Sequence, residues 1–262
     1  MELTFYKYQG TGNDFVMIDN RQQVLSKNNT KLIKSLCDRK FGVGGDGLIL
    51  LENPENSNDD FQMLYFNADG RESSMCGNGG RCIVAFAKFL GIIKEKASFT
   101  AIDGFHEAVI ENDLIGLRMM NVTGVEEKEN EVFVNTGSPH HILFTEDVDA
   151  VDLKKNGALI RYLKEYESIG GTNVNFVQEL DKGTFKVRTY ERGVEDETLS
   201  CGTGVTAVAL AAFATHRAST TAIHFQTPGG ELAVSFEPIG NEFKNIWLTG
   251  PAKQVFKGVI PC

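Results

Sequence analysis

Apolar residues run along this chain in short stretches bounded by Gly, Asn, Asp and Ser. On that pattern Phe15–Ile18, Leu48–Leu51, Phe61–Phe66, Val132–Val134, Phe185–Tyr190 and Ile246–Leu248 are predicted as β-strands. Two longer stretches differ. Ile83 to Leu90 is mostly apolar, with Arg81 and Lys88 as the charges around it, and Val205 to Ala214 carries no charge. A helix apolar on every side is buried within a fold and does not lie on its surface. One central helix is therefore predicted in each half, starting at Cys76 and at Cys201. Strands this frequent beside so few helices argue against a Rossmann-type parallel sheet and for an α+β class, a mixed β-sheet wrapped around a buried helix.

The chain also repeats itself. Thr11-Gly12-Asn13 returns as Thr136-Gly137-Ser138, and Cys76-Gly77-Asn78-Gly79 returns as Cys201-Gly202-Thr203-Gly204, both 125 positions on. Tyr65 and Tyr190, and Glu72 and Glu197, keep that offset, while Gly45-Asp46-Gly47-Leu48 and Thr172-Asn173-Val174-Asn175 fit at 127. Several coincidences at one shift predict two pseudo-symmetric domains from an internal duplication. The polar stretch Val122 to Glu131 reads as a solvated connector between them. The expected division is 1–120, with the segment 251–262 packing on it, and 121–250.

Composition narrows the function classes. The chain has 262 residues, a formal charge of −9 and 42% hydrophobic content, enough for a sizeable core. Without a cluster of Lys or Arg, nucleic acid is not an expected partner. The longest apolar stretch is far below the roughly 20 residues a membrane span needs, and no signal-peptide core is visible, so a cytoplasmic location is expected. The five cysteines, Cys37, Cys76, Cys82, Cys201 and Cys262, have neither a disulfide framework nor CxxC zinc spacing. The histidines show no HxH or HxxxH spacing, and no metal is expected. Gly42, Gly44 and Gly47 match GxGxxG, but Leu48–Leu51 reads as strand where a dinucleotide site needs a helix.

A Cys-Gly-x-Gly turn at the start of a buried helix has chemical consequences. The first helical N–H groups lack intrahelical partners, and the helix dipole adds about half a positive charge there. A thiol in that place is acidified from about 8.5 towards neutrality. Glycines without a Cβ let backbone N–H groups approach a carboxylate closely. Two such sites about an approximate two-fold would set two thiols on opposite sides of one substrate. That arrangement suits removal of a proton from one face of an α-carbon and delivery to the other.

The motifs Thr11-Gly12-Asn13-Asp14-Phe15, Phe66-Asn67-Ala68-Asp69-Gly70, Met75–Cys82, Tyr190-Glu191-Arg192-Gly193 and Cys201-Gly202-Thr203-Gly204 together resemble diaminopimelate epimerase, over essentially the whole chain. The resemblance implies a two-domain isomerase working without cofactor, pyridoxal phosphate or metal. It would interconvert LL- and meso-2,6-diaminopimelate in lysine and peptidoglycan precursor synthesis, as a homodimer. It implies Cys76 and Cys201 as the acid–base pair, with Gly77, Asn78, Gly202 and Thr203 holding the reacting carboxylate through backbone N–H groups. Asn13, Asn67 and Asn173 would bind the substrate's amino and carboxylate groups, Arg192 its distal carboxylate and Glu191 an ammonium. His140 matches a position near the pocket without a definite role. Ser138 stands where the family often has Asn, and Gly47 lies where some members carry a glutamine.

Other readings compete. A proline or hydroxyproline racemase would share the architecture without a distal clamp. A thiol-redox or ligand-binding module would join Cys76 and Cys201 reversibly, although the CxxC signature is missing. Asn13, Asn67 and Asn173 could serve as turn residues, Glu191 and Arg192 as a solvated ion pair, and Cys37, Cys82 and Cys262 as ordinary buried thiols.

Overall fold

From Glu2 the chain forms β1 (Glu2–Gly10) and returns antiparallel as β2 (Asn13–Asp19), with Gly10 opposite Asn13. Both turn residues take positive φ, Thr11 at 48° and Gly12 at 89°, as a two-residue hairpin requires. This turn delivers Asn13 to the head of β2. The computed structural model describes residues 2–129 and 131–262, which divide into two compact units, Met1–Leu117 with Gly250–Cys262, and Arg118–Thr249.

The first unit continues with α1 (Thr30–Cys37), β3 (Gly47–Glu52), β4 (Phe61–Asn67), β5 (Glu72–Ser73), α2 (Gly77–Phe89), β6 (Lys96–Ala101), β7 (Gly104–Glu111) and β8 (Leu114–Arg118). All six residues of β3 are buried, because both of its faces are covered. Leu48 and Leu50 join Val16, Ile18, Leu64 and Phe66 in a cluster with Ile33, Leu36 and Cys37 of α1. With side chains alternating along a strand, Ile49 turns the other way, as does Met63 of β4, and both lie close to Gly79 of α2. The helix α2 packs against β1 through β4.

In the second unit the elements are β9 (Val122–Thr123), β10 (Glu126–Lys128), β11 (Glu131–Asn135), β12 (Pro139–Phe144), α3 (Leu153–Arg161), a 3-10 helix (Lys164–Ile169), β13 (Asn173–Asp181), β14 (Thr184–Glu191), β15 (Asp196–Thr198), α4 (Gly202–Ala214), β16 (Ala222–Thr227), β17 (Gly230–Ile239) and β18 (Glu242–Pro251). Its core gathers Val205 and Ala207–Ala212 of α4 with Val177, Phe185, Val187, Phe225 and Leu248 from the strands. Small Ala side chains keep α4 narrow enough to be enclosed. On the opposite strand face Leu153 of α3 packs with Val174, Phe176 and Tyr190.

The two units repeat one pairing scheme. β2–β3 is parallel, β3–β4 and β4–β5 antiparallel, β4–β6 parallel and β6–β7 antiparallel. β12–β13, β13–β14, β14–β15, β14–β16 and β16–β17 follow in the same order and sense. Phe61 sits opposite Phe99 in one, and Phe185 opposite Phe225 in the other. The last strand, β19 (Lys253–Pro261), returns to the first unit and pairs antiparallel with β1, Glu2 opposite Pro261.

The stretch 122–131, expected as a connector, is instead largely strand; its Asn130 lies outside the described residues. Glu126 to Lys128 form β10, paired with β11, and all three are exposed. A charged strand at a sheet edge has the polarity of a linker for a different reason, since charge there deters pairing with other chains. Each unit also carries a helix beyond the central one, α1 and α3, covering the strand face that α2 or α4 leaves open.

Candidate active site at two cysteine-capped helices

Cys76 is the N-cap of α2, with extended backbone (φ −102°, ψ 148°), and its Sγ accepts the Gly79 N–H at 3.2 Å. Ser, Thr, Asn or Asp usually fills this role. A sulfur there meets the positive end of the helix dipole, which favours the thiolate. Cys201 is the N-cap of α4 in a similar extended conformation (φ −125°, ψ 112°), and its Sγ lies 3.4 Å from Thr203 Oγ1. Both cysteines are half-buried. A Cβ on Gly79 or on Gly204 would stand 3.3 Å from the capping sulfur, so the second glycine of each motif keeps space beside the thiol. The first N–H groups of each helix, on Gly77 and Asn78 and on Gly202 and Thr203, have no carbonyl four residues back within the helix, the general setting in which helix starts attract anions.

Around Cys76 the side chains are tied down. Asn13 Oδ1 lies 3.9 Å from Sγ and accepts from Asn78 Nδ2 at 3.4 Å. Asn13 Nδ2 donates to Asp46 at 2.5 Å, and Arg39 bridges Asp46 (2.7 Å) and Asp14 (2.6 Å). Lys7 pairs with Asp14 at 2.6 Å and donates to the Gly44 carbonyl. Burial opposes ionisation of Asp14, but hydrogen bonds from Arg39 and Lys7 outweigh it and hold the carboxyl well below the usual range. Asn67 ends β4 with an exposed side chain, its backbone closing the turn to Arg71. Gly47 has no room for a side chain, because a Cβ would come within 2.5 Å of Phe66 O and the Tyr65 ring.

One residue beneath Cys76 had no role in the sequence reading. Arg81 is fully buried, and its guanidinium donates to Asn78 Oδ1 (2.8 Å), Thr11 Oγ1 (3.0 Å), Gly77 O (3.3 Å) and Pro251 O (3.5 Å). A charge on an otherwise apolar helix was the signal that could have found it. Cys82 is buried in the same helix, and burial pushes its thiol up. Burial likewise pushes Cys37 up to about 12.

Around Cys201 a neutral chain of hydrogen bonds replaces the charges. Asn175 Nδ2 donates to His141 O at 3.2 Å and reaches His140 Nδ1 at 3.2 Å, while its Oδ1 accepts from Thr189 at 3.0 Å. The bond to a carbonyl fixes which end of the amide is NH₂. His140 Nδ1 is therefore the acceptor, the ring proton sits on Nε2, and Nε2 donates to Thr203 Oγ1 at 3.0 Å. That leaves the Thr203 hydroxyl proton for Cys201 Sγ. Burial, followed by the Arg192 charge, pushes His140 down to about 3, so the ring is neutral. Asn175 and Thr189, both buried, were not expected from sequence.

Asn173 donates to Ser138 Oγ and Pro139 O, both at 2.9 Å, and accepts the Arg192 N–H at 2.9 Å. The Arg192 guanidinium rests on the carbonyls of Ile169 (3.1 Å) and Gly171 (3.2 Å), and Glu191, half-buried, ends β14. Cys76, Asn13, Gly77 and Asn78 are thus brought together in the first unit, and Cys201, Gly202 and Thr203 in the second, with Asn173 and Arg192 joined at the head of β13. Among the described residues no group of three or more His, Cys, Asp or Glu side chains could hold a metal ion.

The fold places the chain in a known structural class. A Bacillus anthracis phenazine biosynthesis protein of the PhzF family is 14% identical, with both chains covered fully and a TM-score of 0.76. A hydroxyproline epimerase from Agrobacterium vitis is 14% identical, with a TM-score of 0.71 over 99% of this chain and 92% of that one. These likenesses define a shared α+β, two-domain fold. Sequence narrows the class further. The family model described as Diaminopimelate epimerase matches residues 5–119 and 132–255. A diaminopimelate epimerase of Flavobacterium psychrophilum is 56% identical over 259 residues, 98% of this chain and all of that relative. The chain belongs to the diaminopimelate epimerase family.

Proposed function

We propose that this chain is a cofactor-independent isomerase interconverting LL- and meso-2,6-diaminopimelate. The observation that carries the reading is the duplicated cysteine-capped helix start, in a chain more than half identical to a diaminopimelate epimerase over nearly its full length. One sulfur, as thiolate, takes the α-proton, and the electron pair left behind delocalises onto the neighbouring carboxylate. N–H groups of Gly77, Asn78, Gly202 and Thr203 stabilise that charge as an oxyanion hole does. The other sulfur, as thiol, delivers its proton to the opposite face, so the pair ends with its protonation states exchanged and no net gain of protons. Asn13, Asn67, Asn173, Glu191 and Arg192 complete the proposed substrate contacts. Arg192 suits a distal carboxylate through its planar fork.

The fold alone does not separate this reading from proline or hydroxyproline racemisation, because the likeness to that epimerase is 14% identical; family membership does. We further assign the protein to lysine and peptidoglycan precursor synthesis, in the cytoplasm and as a homodimer. No helix among the described residues is long and apolar enough to cross a membrane. Incubation with LL-diaminopimelate in deuterium oxide tests the reaction. Meso product carrying deuterium at the α-carbon is expected; no isomer and no label would end the proposal.

A further inference from the structure

Among the described residues Arg81 is the largest fully buried side chain, and a guanidinium keeps its charge in proteins. All four groups that accept from it are neutral: the Gly77 and Pro251 carbonyls, Thr11 Oγ1 and Asn78 Oδ1. Among the described residues no carboxylate lies within ion-pair distance of it. A buried cation without a counter-anion is costly, and its retention five residues after the capping Cys76 calls for an anion nearby.

The surrounding charges leave one candidate. Lys7 and Arg39 are matched by Asp14 and Asp46, and Asp103 is engaged elsewhere, 3.3 Å from His106 Nε2 and accepting the Met75 N–H at 3.4 Å. Cys82, next to Arg81 on α2, is held protonated by burial. Burial drives the Arg81 guanidinium down to about 10, and the two groups that push back are Cys82 and Cys76. In the second unit the position 125 residues on is Thr206, also fully buried, whose hydroxyl donates to Gly202 O at 2.8 Å. It is the same i−4 carbonyl contact that Arg81 makes to Gly77 O, without the charge.

We propose that Arg81 is the buried counter-cation of a Cys76 thiolate, which makes Cys76 the base of the resting protein and leaves Cys201 as its thiol. Arg81 is then a positioning residue, holding charge in place beneath the helix start without touching substrate. The inference rests on Cys76 and Cys201 being the acid–base pair. Cys201 caps α4 without a side-chain cap hydrogen bond and has the Thr203 hydroxyl at 3.4 Å, with the Arg192 charge acting on His140 behind it, whereas Cys76 accepts the Gly79 N–H and has Arg81 buried on its own helix.

Alkylation of the full chain by iodoacetamide from pH 5 to 10, quantified cysteine by cysteine on the peptides, tests this. In the native sequence Cys76 is expected to titrate below Cys201 and to label at least about tenfold faster near neutrality, which corresponds to about one pH unit between midpoints. Arg81→Met should raise the Cys76 midpoint by at least about one unit and leave Cys201 unmoved, whereas Arg81→Lys should keep it low. Equal midpoints, a lower midpoint at Cys201, or an unchanged Cys76 midpoint in folded Arg81→Met would overturn the assignment. Should Arg81→Met fail to fold, the order of midpoints in the native sequence still decides. Labelling does not require turnover, so its result is independent of the deuterium experiment that tests the epimerase reading.

Discussion

Arg81 and Thr206 occupy the same turn of two equivalent helices, and each donates to the carbonyl four residues before it, Gly77 at 3.3 Å and Gly202 at 2.8 Å. The repeat keeps the capping cysteine and both glycines but changes the residue below them from a cation to a hydroxyl. In a two-base reaction a single proton is shared between two sulfurs. On the proposed assignment, the difference between Arg81 and Thr206 under the two helices sets which sulfur holds it at rest.

Replacing either capping cysteine separately by serine should lower kcat by at least about 10²-fold while KM changes little, because the role proposed for each sulfur is proton transfer and not binding. Steady-state kinetics on both stereoisomers will show it. A variant keeping more than a tenth of the native rate would remove that sulfur from the acid–base pair.

Thr203→Val keeps the shape of the side chain and removes the hydroxyl between His140 and Cys201. A lost hydrogen bond to the thiolate that Cys201 becomes on giving up its proton predicts a fall in kcat of about 10- to 100-fold. The alkylation midpoint of Cys201 should rise while that of Cys76 stays put. Midpoints moving together would mean that the substitution disturbs the fold and does not act through one hydrogen bond.

The two glycines beside the sulfurs should respond differently to alanine. At Gly79 the new Cβ would stand 3.2 Å from Ile49 Cδ1 and 3.3 Å from Cys76 Sγ. Small shifts relieve that crowding, and a helix-propensity gain of up to about 1 kcal/mol offsets it. At Gly204 the Cβ would stand 2.6 Å from Asn175 Oδ1, which two further hydrogen-bonded groups hold in place. Gly204→Ala should therefore cost about 1–3 kcal/mol and Gly79→Ala close to nothing. Urea unfolding of both variants measures it, and equal losses would contradict the rigid Asn175 network.

His140 links stability to pH. Its folded pKa, about 3, lies below the ordinary 6.5, so the unfolded chain binds a proton that the folded chain refuses between those values. The contribution is complete above about pH 6.5 and is lost as pH falls from there toward about 3. Burial lowers His141 as well, against the opposing pull of Glu131 and Glu165, and adds to the trend. In His140→Gln the decline in unfolding free energy between pH 7 and pH 5 should be shallower by up to one proton's worth. Parallel declines in the two proteins would show that His140 is not the group responsible.

The central helices, the main strands and the capping role of both cysteines were legible because each is written locally, in an apolar run or a glycine-flanked turn. Two helices were not. In α1 only Ile33, Leu36 and Cys37 face the core, and in α3 only Leu153 and Gly157 are buried, too few to stand out as a periodic stripe. Gly157 is explained by tertiary contact alone: a Cβ there would come within 2.5 Å of Tyr190. Arg81 could be seen as a misplaced charge, but its partners Thr11 and Pro251 are 70 and 170 positions away. Asn175 reads as a polar interruption of a strand until His140, 35 positions earlier, is set beside it on the parallel partner.

The pairing of β19 with β1 bears on how the molecule is made. The second unit is a single uninterrupted stretch of chain, whereas the first needs the segment from Gly250 onward. During translation, domains ordinarily fold as units from the N-terminus. Here the later-made half has all its residues out of the ribosome before the earlier-made half has its closing strand. The unit that begins the chain is thus the last to be finished, and its β1 edge stays open for the whole time the other half is being synthesised.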